Sequence, residues 1–246
     1  MRNKMPMIAL AMVLGTGMVC AGPPTVDTQT MDGIQSRLDH SKVNQHGNVQ
    51  VTYDRGVATL TGTVDNLASK LEAEKAVKKA QGVSQVVDNI QVRADGMDDQ
   101  QIARQAYHEV LMYYAYGLFD YVVPEVQNGT LTVNGYVTQP FMKVDLEKIL
   151  SQVKGVTALQ NNLEVLPNSQ FDDRLRLQLA RAIYGNPNFT PYRSMAQPPI
   201  RIIVKNQNVI LEGVVNSTMD RNVAGIVANH TGLSFSVTNN LRVVKG

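Results

Sequence analysis

The chain has 246 residues, 23 basic and 21 acidic side chains, one cysteine and no tryptophan. That length ordinarily holds one or two domains, and so even a charge balance lacks the electrostatic footprint of a nucleic-acid binder. A lone cysteine excludes an intramolecular disulfide and a thiolate metal site.

Arg2 and Lys4 precede an apolar run from Met7 to Val19, and Val19-Cys20-Ala21 offers small residues for cleavage. The pattern predicts a secretory signal peptide over 1–21, cleaved near Ala21. The run is short and interrupted by Gly15 and Gly17, so it makes a poor membrane span. The alternative is lipidation at Cys20, against which Val19 counts, because a smaller residue normally precedes a lipidated cysteine. Cleavage removes Arg2, Lys4 and Cys20, leaving 21 basic against 21 acidic residues and no cysteine. No later apolar run approaches membrane-spanning length, so the mature protein is expected to be soluble or peripheral.

From there one skeleton recurs three times. A short strand (Val49–Tyr53, about Tyr121–Val126, Ile200–Val204) meets a second strand through Asp54-Arg55-Gly56, Gln127-Asn128-Gly129 or Lys205-Asn206-Gln207. Such links read as tight hairpins, with Asn-Gly the strongest signal and the glycine-free third link the weakest. The second strands alternate. Ala58, Leu60, Gly62 and Val64, then Leu131, Val133, Gly135 and Val137, then Val209, Leu211, Gly213 and Val215 form an inward face. Gly62, Gly135 and Gly213 on that face suggest that a helix lies close over the sheet there.

An amphipathic helix follows each time, its stripes being Ala73/Ala76/Val77/Ala80, Leu146/Ile149/Leu150/Val153 and Ala224/Val227/Ala228. Start signals are Asp65 or Asn66, Thr138 with Pro140, and Ser217 or Thr218. Gly82, Gly155 and Gly232 are expected to stop these helices. A third strand closes each copy through Asp88-Asn89, Asn161-Asn162 or Asn239-Asn240, and first glycine to closing valine is 30 residues in all three (62 to 92, 135 to 165, 213 to 243). A leading helix opens copy two (capped by Asp98 or Asp99) and copy three (capped by Asp172 or Asp173), with a weak equivalent around Met31–Asp39.

Repetition at this period makes the chain an array of small units. The expected class is α+β: three tandem αββαβ modules over 28–94, 97–167 and 171–246, each with two helices on one face of a three-stranded mixed sheet. Copy three carries a proline-rich insertion, 186–199, where a long ordered loop is often functional.

The strand Thr59-Leu60-Thr61-Gly62-Thr63-Val64, the Gly82-Val83 pair and Asn89-Ile90-Gln91-Val92 together resemble the BON domain of osmotically inducible periplasmic (OsmY-type) proteins. Copy two matches through Asn128-Gly129, Gly135, Gly155-Val156 and Asn162-Leu163-Glu164-Val165. Copy three departs at Gln207 and by one extra residue after Gly232. The resemblance, with the signal peptide, implies an exported periplasmic envelope module, with relatives associated with envelope integrity, osmotic stress and phospholipid surfaces. It implies no catalytic residues.

The residues agree on the last point. His40, His46, His108 and His230 lack metal-ligand spacing, the Asp98-Asp99 and Asp172-Asp173 pairs read as helix caps, and there is no nucleophile elbow or phosphate loop. No catalytic, cofactor or metal residue is expected. Lys70, Lys143 and Arg221 share one aligned helix position, read as a solvated face or else a shared anionic contact.

The candidate contact surface is the aromatic tract of copy two: Leu111, Met112, Tyr113, Tyr114, Tyr116 and Phe119. It exceeds what one core stripe needs, and its tyrosines suit an inter-module core, a partner protein or a lipid headgroup region. Phe189 and Tyr192 are candidate loop contacts. Expected partners are a phospholipid surface or envelope proteins, with self-association through sheet edges or the tract open and nucleic acid excluded.

Overall fold

A computed structural model describes residues 26–41, 43–93 and 96–244, so the expected signal peptide over 1–21 and Cys20 lie outside the described residues. The first module runs α1 (Val26–Ser41), β1 (Gly47–Asp54), β2 (Val57–Val64), α2 (Leu67–Lys78), β3 (Gln85–Val92). The second runs α3 (Asp99–Met112), β4 (Tyr121–Gln127), β5 (Thr130–Val137), α4 (Pro140–Leu150), β6 (Ala158–Val165). The third runs α5 (Gln170–Gly185), α6 (Thr190–Arg193), β7 (Ile200–Lys205), β8 (Asn208–Val215), α7 (Thr218–His230), β9 (Ser236–Asn239) and β10 (Arg242–Val243). The weak opening helix of copy one is therefore a full 16-residue helix.

In each sheet the glycine-bearing strand is central. Its hairpin partner is antiparallel (β1, β4, β7), and the strand after the crossover helix is parallel (β3, β6, and β9 with β10). Both helices cover one face, and each module has its own apolar cluster. The expected inward rows are there: Ala58, Leu60 and Val64, Leu131 and Val133, Val209 and Leu211 are buried beneath the helices. Fully burying one such aliphatic side chain contributes roughly 1.5–3 kcal/mol.

The hairpin turns are two-residue turns with both residues in the left-handed region: Arg55 and Gly56, Asn128 and Gly129, Asn206 and Gln207. This geometry matches strand twist, which is why Asn and Gly suit it. Gln207 at φ +63° is the exception, and a carboxylate helps hold that turn. Asp172, fully buried, accepts from the Asn206 and Gln207 amides at 2.8 Å each. Asp99 does the same for Asn128 (2.7 Å) and Gly129 (3.0 Å).

Two expectations need correction. The central glycines do not make room for a helix. An added Cβ at Gly62, Gly135 or Gly213 would lie 1.9 Å from the carbonyl oxygen of Asn48, Tyr121 or Pro199, on or just before the hairpin-partner strand. Their φ values of +120°, +131° and +120° also belong to glycine. The Asp172/Asp173 pair does not cap α5 either. Ser169 is the cap, Asp172 holds the hairpin turn and Asp173 pairs with Arg176. The reading of Asp98 as a cap does match the structure, in a reciprocal capping box with Gln101.

The insertion of copy three is ordered as a 3-10 turn over Pro187–Phe189 followed by α6. Phe189 and Tyr192 stack at 6.0 Å within the third core, and the Tyr192 hydroxyl donates to Asp220 (2.7 Å). As buried packing residues they are not loop contacts, because the loop folds back to close its own module.

Candidate functional site

The aromatic tract divides three ways. α3 buries Ile102, Ala106 and Val110 against its own sheet, and Tyr113 at its C-terminus joins them. The Tyr113 hydroxyl donates to Asp145 on α4 at 2.8 Å, and burial with that bond pushes the phenol well up. Leu111 is half-buried on the same core.

Tyr116 stays in its own core, while Leu118 and Phe119 leave their module and dock on the third. Leu118 and Phe119 pack against its core, and the Ile202 amide of edge strand β7 donates to Leu118 O (3.1 Å). Arg201 organises the junction. Its guanidinium lies 4.5 Å over the Tyr116 ring, donates to Gly117 O (2.8 Å) and donates to Gln197 Oε1 (3.0 Å). Gln197 in turn donates to Leu111 O (3.2 Å). Burial pushes the Tyr116 phenol up to about 12. Buried Asp120 fixes the loop by accepting from Gly117 N (2.9 Å) and from Thr138 N (2.7 Å) and Oγ1 (2.9 Å). Burial raises its carboxyl against those bonds.

Only Met112 and Tyr114 of the tract remain in water, at 65% and 83% exposure. Tyr114 meets the edge of Tyr113 at 4.9 Å. The tract is thus mostly packing between and within modules, with a two-residue exposed remnant.

A second apolar group was missed from sequence. Around the Asn206–Gln207 turn stand Phe171, Leu233 and Phe235, exposed by 67%, 54% and 77%. Their neighbourhood follows from backbone bonds: Phe171 precedes Asp172, which holds the turn, and the Phe235 amide donates to Gln207 O (2.9 Å). Arg174 lies 4.9 Å over the Phe171 ring. In the other modules the residues bonded like Phe235 are Ser84 and Thr157, and the residue before the turn-holding Asp99 is Asp98. Setting the copies side by side, with the extra residue after Gly232, would have exposed the change.

The polar candidates are taken by structure. Lys70 donates to Ile90 O (2.7 Å) and Lys143 to Leu163 O (2.8 Å), both half-buried. Neither therefore belongs to a freely solvated face, whereas Arg221 at the same position is exposed. His40, His46, His108 and His230 are exposed and scattered, and no metal-binding cluster of His, Cys, Asp and Glu occurs among the described residues. No helix among them is long and apolar enough to cross a membrane.

Three segments, 27–94, 124–167 and 172–245, match the BON domain family model. The chain belongs to the BON domain family. Among solved structures, the BON array is similar to the C-terminal domain of CdsD, a structural protein of the type III secretion system of Chlamydia trachomatis. That likeness has 16% identity, covers 85% of this chain and 96% of that one, and has a TM-score of 0.27. A second CdsD structure matches at 16% identity over 87% and 93% of the two chains, also with a TM-score of 0.27. No curated protein matches the chain. Within the BON modules, strand glycine, turn and Asn pair serve the fold, while the exposed apolar groups differ from copy to copy.

Proposed function

We propose that this is an exported, non-catalytic module of the cell envelope that associates with phospholipid surfaces through the turn end of its third BON domain. BON domains are associated with membrane and osmotic-stress proteins. The observation that carries the reading is the exposed trio Phe171, Leu233 and Phe235 at one turn, with polar residues at the positions matching Phe235 (Ser84 and Thr157) and Phe171 (Asp98). Loop-borne aromatic and aliphatic side chains can enter the headgroup region without a spanning helix. Arg174 over Phe171 supplies a cation at the same end. Non-catalytic action is supported by the aspartates, which are occupied in capping, turn-holding and ion pairing.

The mature chain is expected to co-sediment with vesicles containing anionic phospholipid. Leu233→Asp with Phe235→Asp should lower the bound fraction at least about tenfold, since withdrawing each such side chain from water is worth roughly 1.5–3 kcal/mol. No co-sedimentation at low salt would end the lipid reading. The second reading, a protein-interaction scaffold, is favoured by exposed Met112 and Tyr114. It would be selected if crosslinking in the envelope captured a partner that Met112→Asp with Tyr114→Asp released.

A further inference from the structure

Where β4 of the second module faces the sheet of the third, a cleft of about 360 Å³ opens. It is lined by Tyr107, Leu111 and Tyr116, by the start of β4, and by Arg201, Val214 and Arg242 of the third module. That volume and those mostly apolar, aromatic walls with a few convergent polar groups are the usual make-up of a small-molecule site.

The charge of the cleft is one-sided. Arg201 and Arg242 both line it, and no carboxylate does. Arg201 is buried, yet its hydrogen bonds go to a backbone carbonyl and an amide oxygen, and among the described residues no acid lies within ion-pair distance of either arginine. Two nearby acids are engaged elsewhere. Asp120 is held by Gly117 and Thr138, and Glu212, beside Tyr121, accepts from Asn240 at 2.7 Å. Asp120 offsets Arg201 at longer range, whereas Arg242, exposed and beside the Tyr121 hydroxyl, has no acid at ion-pair distance among the described residues, so a carboxylate there would gain a charge-assisted contact.

We propose that the cleft between the second and third modules binds a small carboxylate with an apolar or aromatic body. The carboxylate would sit at Arg242 on the open rim. The body would lie among Tyr107, Tyr121, Leu111 and Val214. Such a ligand touches both modules, so it would also brace their arrangement. This site is distinct from the Phe171–Leu233–Phe235 end and does not rest on membrane association.

The test uses the whole mature chain, isotope-labelled for amide NMR, with phenylbutyrate as probe. The neutral phenylbutanamide and butyrate, which lacks the ring, serve as comparisons. Phenylbutyrate should give saturable shifts grouped on Tyr121–Val123 and Gly213–Val214. The amide should bind about tenfold more weakly, as should Arg242→Gln toward phenylbutyrate, each having lost a charge-assisted contact. Val214→Trp, at a half-exposed rim position, should fill the cleft and abolish binding while shifts elsewhere in the spectrum stay in place. If Val214→Trp does not fold, Arg242→Gln on the exposed rim still decides. The proposal fails if no saturable shift appears up to millimolar probe, if the shifts lie elsewhere, or if Arg242→Gln and the neutral amide bind as tightly as the original pair.

Discussion

Gln207 shows how a single residue departs from its repeat without breaking it. A side chain in the left-handed region costs about 1–2 kcal/mol relative to its usual wells, and the aligned positions carry Gly56 and Gly129. Asp172 offsets the cost through two amide hydrogen bonds in a fully buried site. Gln207→Gly should therefore raise stability by about 0.5–1 kcal/mol, read as a higher midpoint of thermal unfolding with no change in vesicle association. A lower midpoint would mean that the Gln207 side chain contributes something the backbone argument omits. The Asn pairs are likewise local devices. Asn161 Oδ1 accepts from the Leu163 amide (3.2 Å) while Nδ2 donates to Lys143 O (2.9 Å), tying third strand to helix. Asn239 repeats both bonds with Leu241 and Arg221.

At the scale of elements, the decisive feature is how edge strand β7 is covered. Ile200, Ile202 and Val204 face the helices, but Arg201 and Ile203 on the other face are buried too. An open edge invites pairing with another chain, and the Tyr116–Phe119 segment occupies part of it. Arg201→Ala removes the contact with the Tyr116 ring and two charge-assisted bonds. It should loosen the junction by about 2–4 kcal/mol, seen as faster proteolysis within 113–120 and slower-protected amides lost around Ile202. Unchanged proteolysis and exchange would assign the junction to apolar packing by Leu118 and Phe119 alone.

The helix ends carry a second inter-module contact. The Ala68 amide in the first turn of α2 donates to Ser151 O just past α4 (2.9 Å), so two groups that helix termini leave orphaned satisfy one another.

For the whole molecule, that contact and Leu67 are what the described residues show holding the first module to the second. Leu67, at the start of α2, is buried in the core of the second module and not of its own. A linear array gains stability from such neighbour interfaces. Leu67→Asp should uncouple the first module, giving a separate lower-temperature transition in calorimetry while the remaining two modules melt together. A single unaltered transition would show that the modules are not coupled through this residue. The docked second and third modules, by contrast, share the Ile202–Leu118 backbone bond, the Arg201 cluster and the Lys205–Glu164 pair at 2.5 Å.

The repeat, the module fold and the family were readable from sequence because their signals are local. A two-residue turn, a glycine forced by a neighbouring backbone, an Asn that bridges to the preceding helix and an alternating strand each constrain residues close in the chain. Partition of the aromatic tract was not readable. Whether Tyr113 or Tyr114 is buried depends on α3 ending where it does, and the fate of Tyr116 depends on Arg201, 85 positions further on (116 to 201). Phe189 and Tyr192 looked like loop contacts because proline-rich composition says nothing about whether a segment folds back onto a core. Only tertiary structure decides which apolar residues are left over once neighbouring modules have docked, because burial is a property of surfaces brought together and not of the residues that carry them.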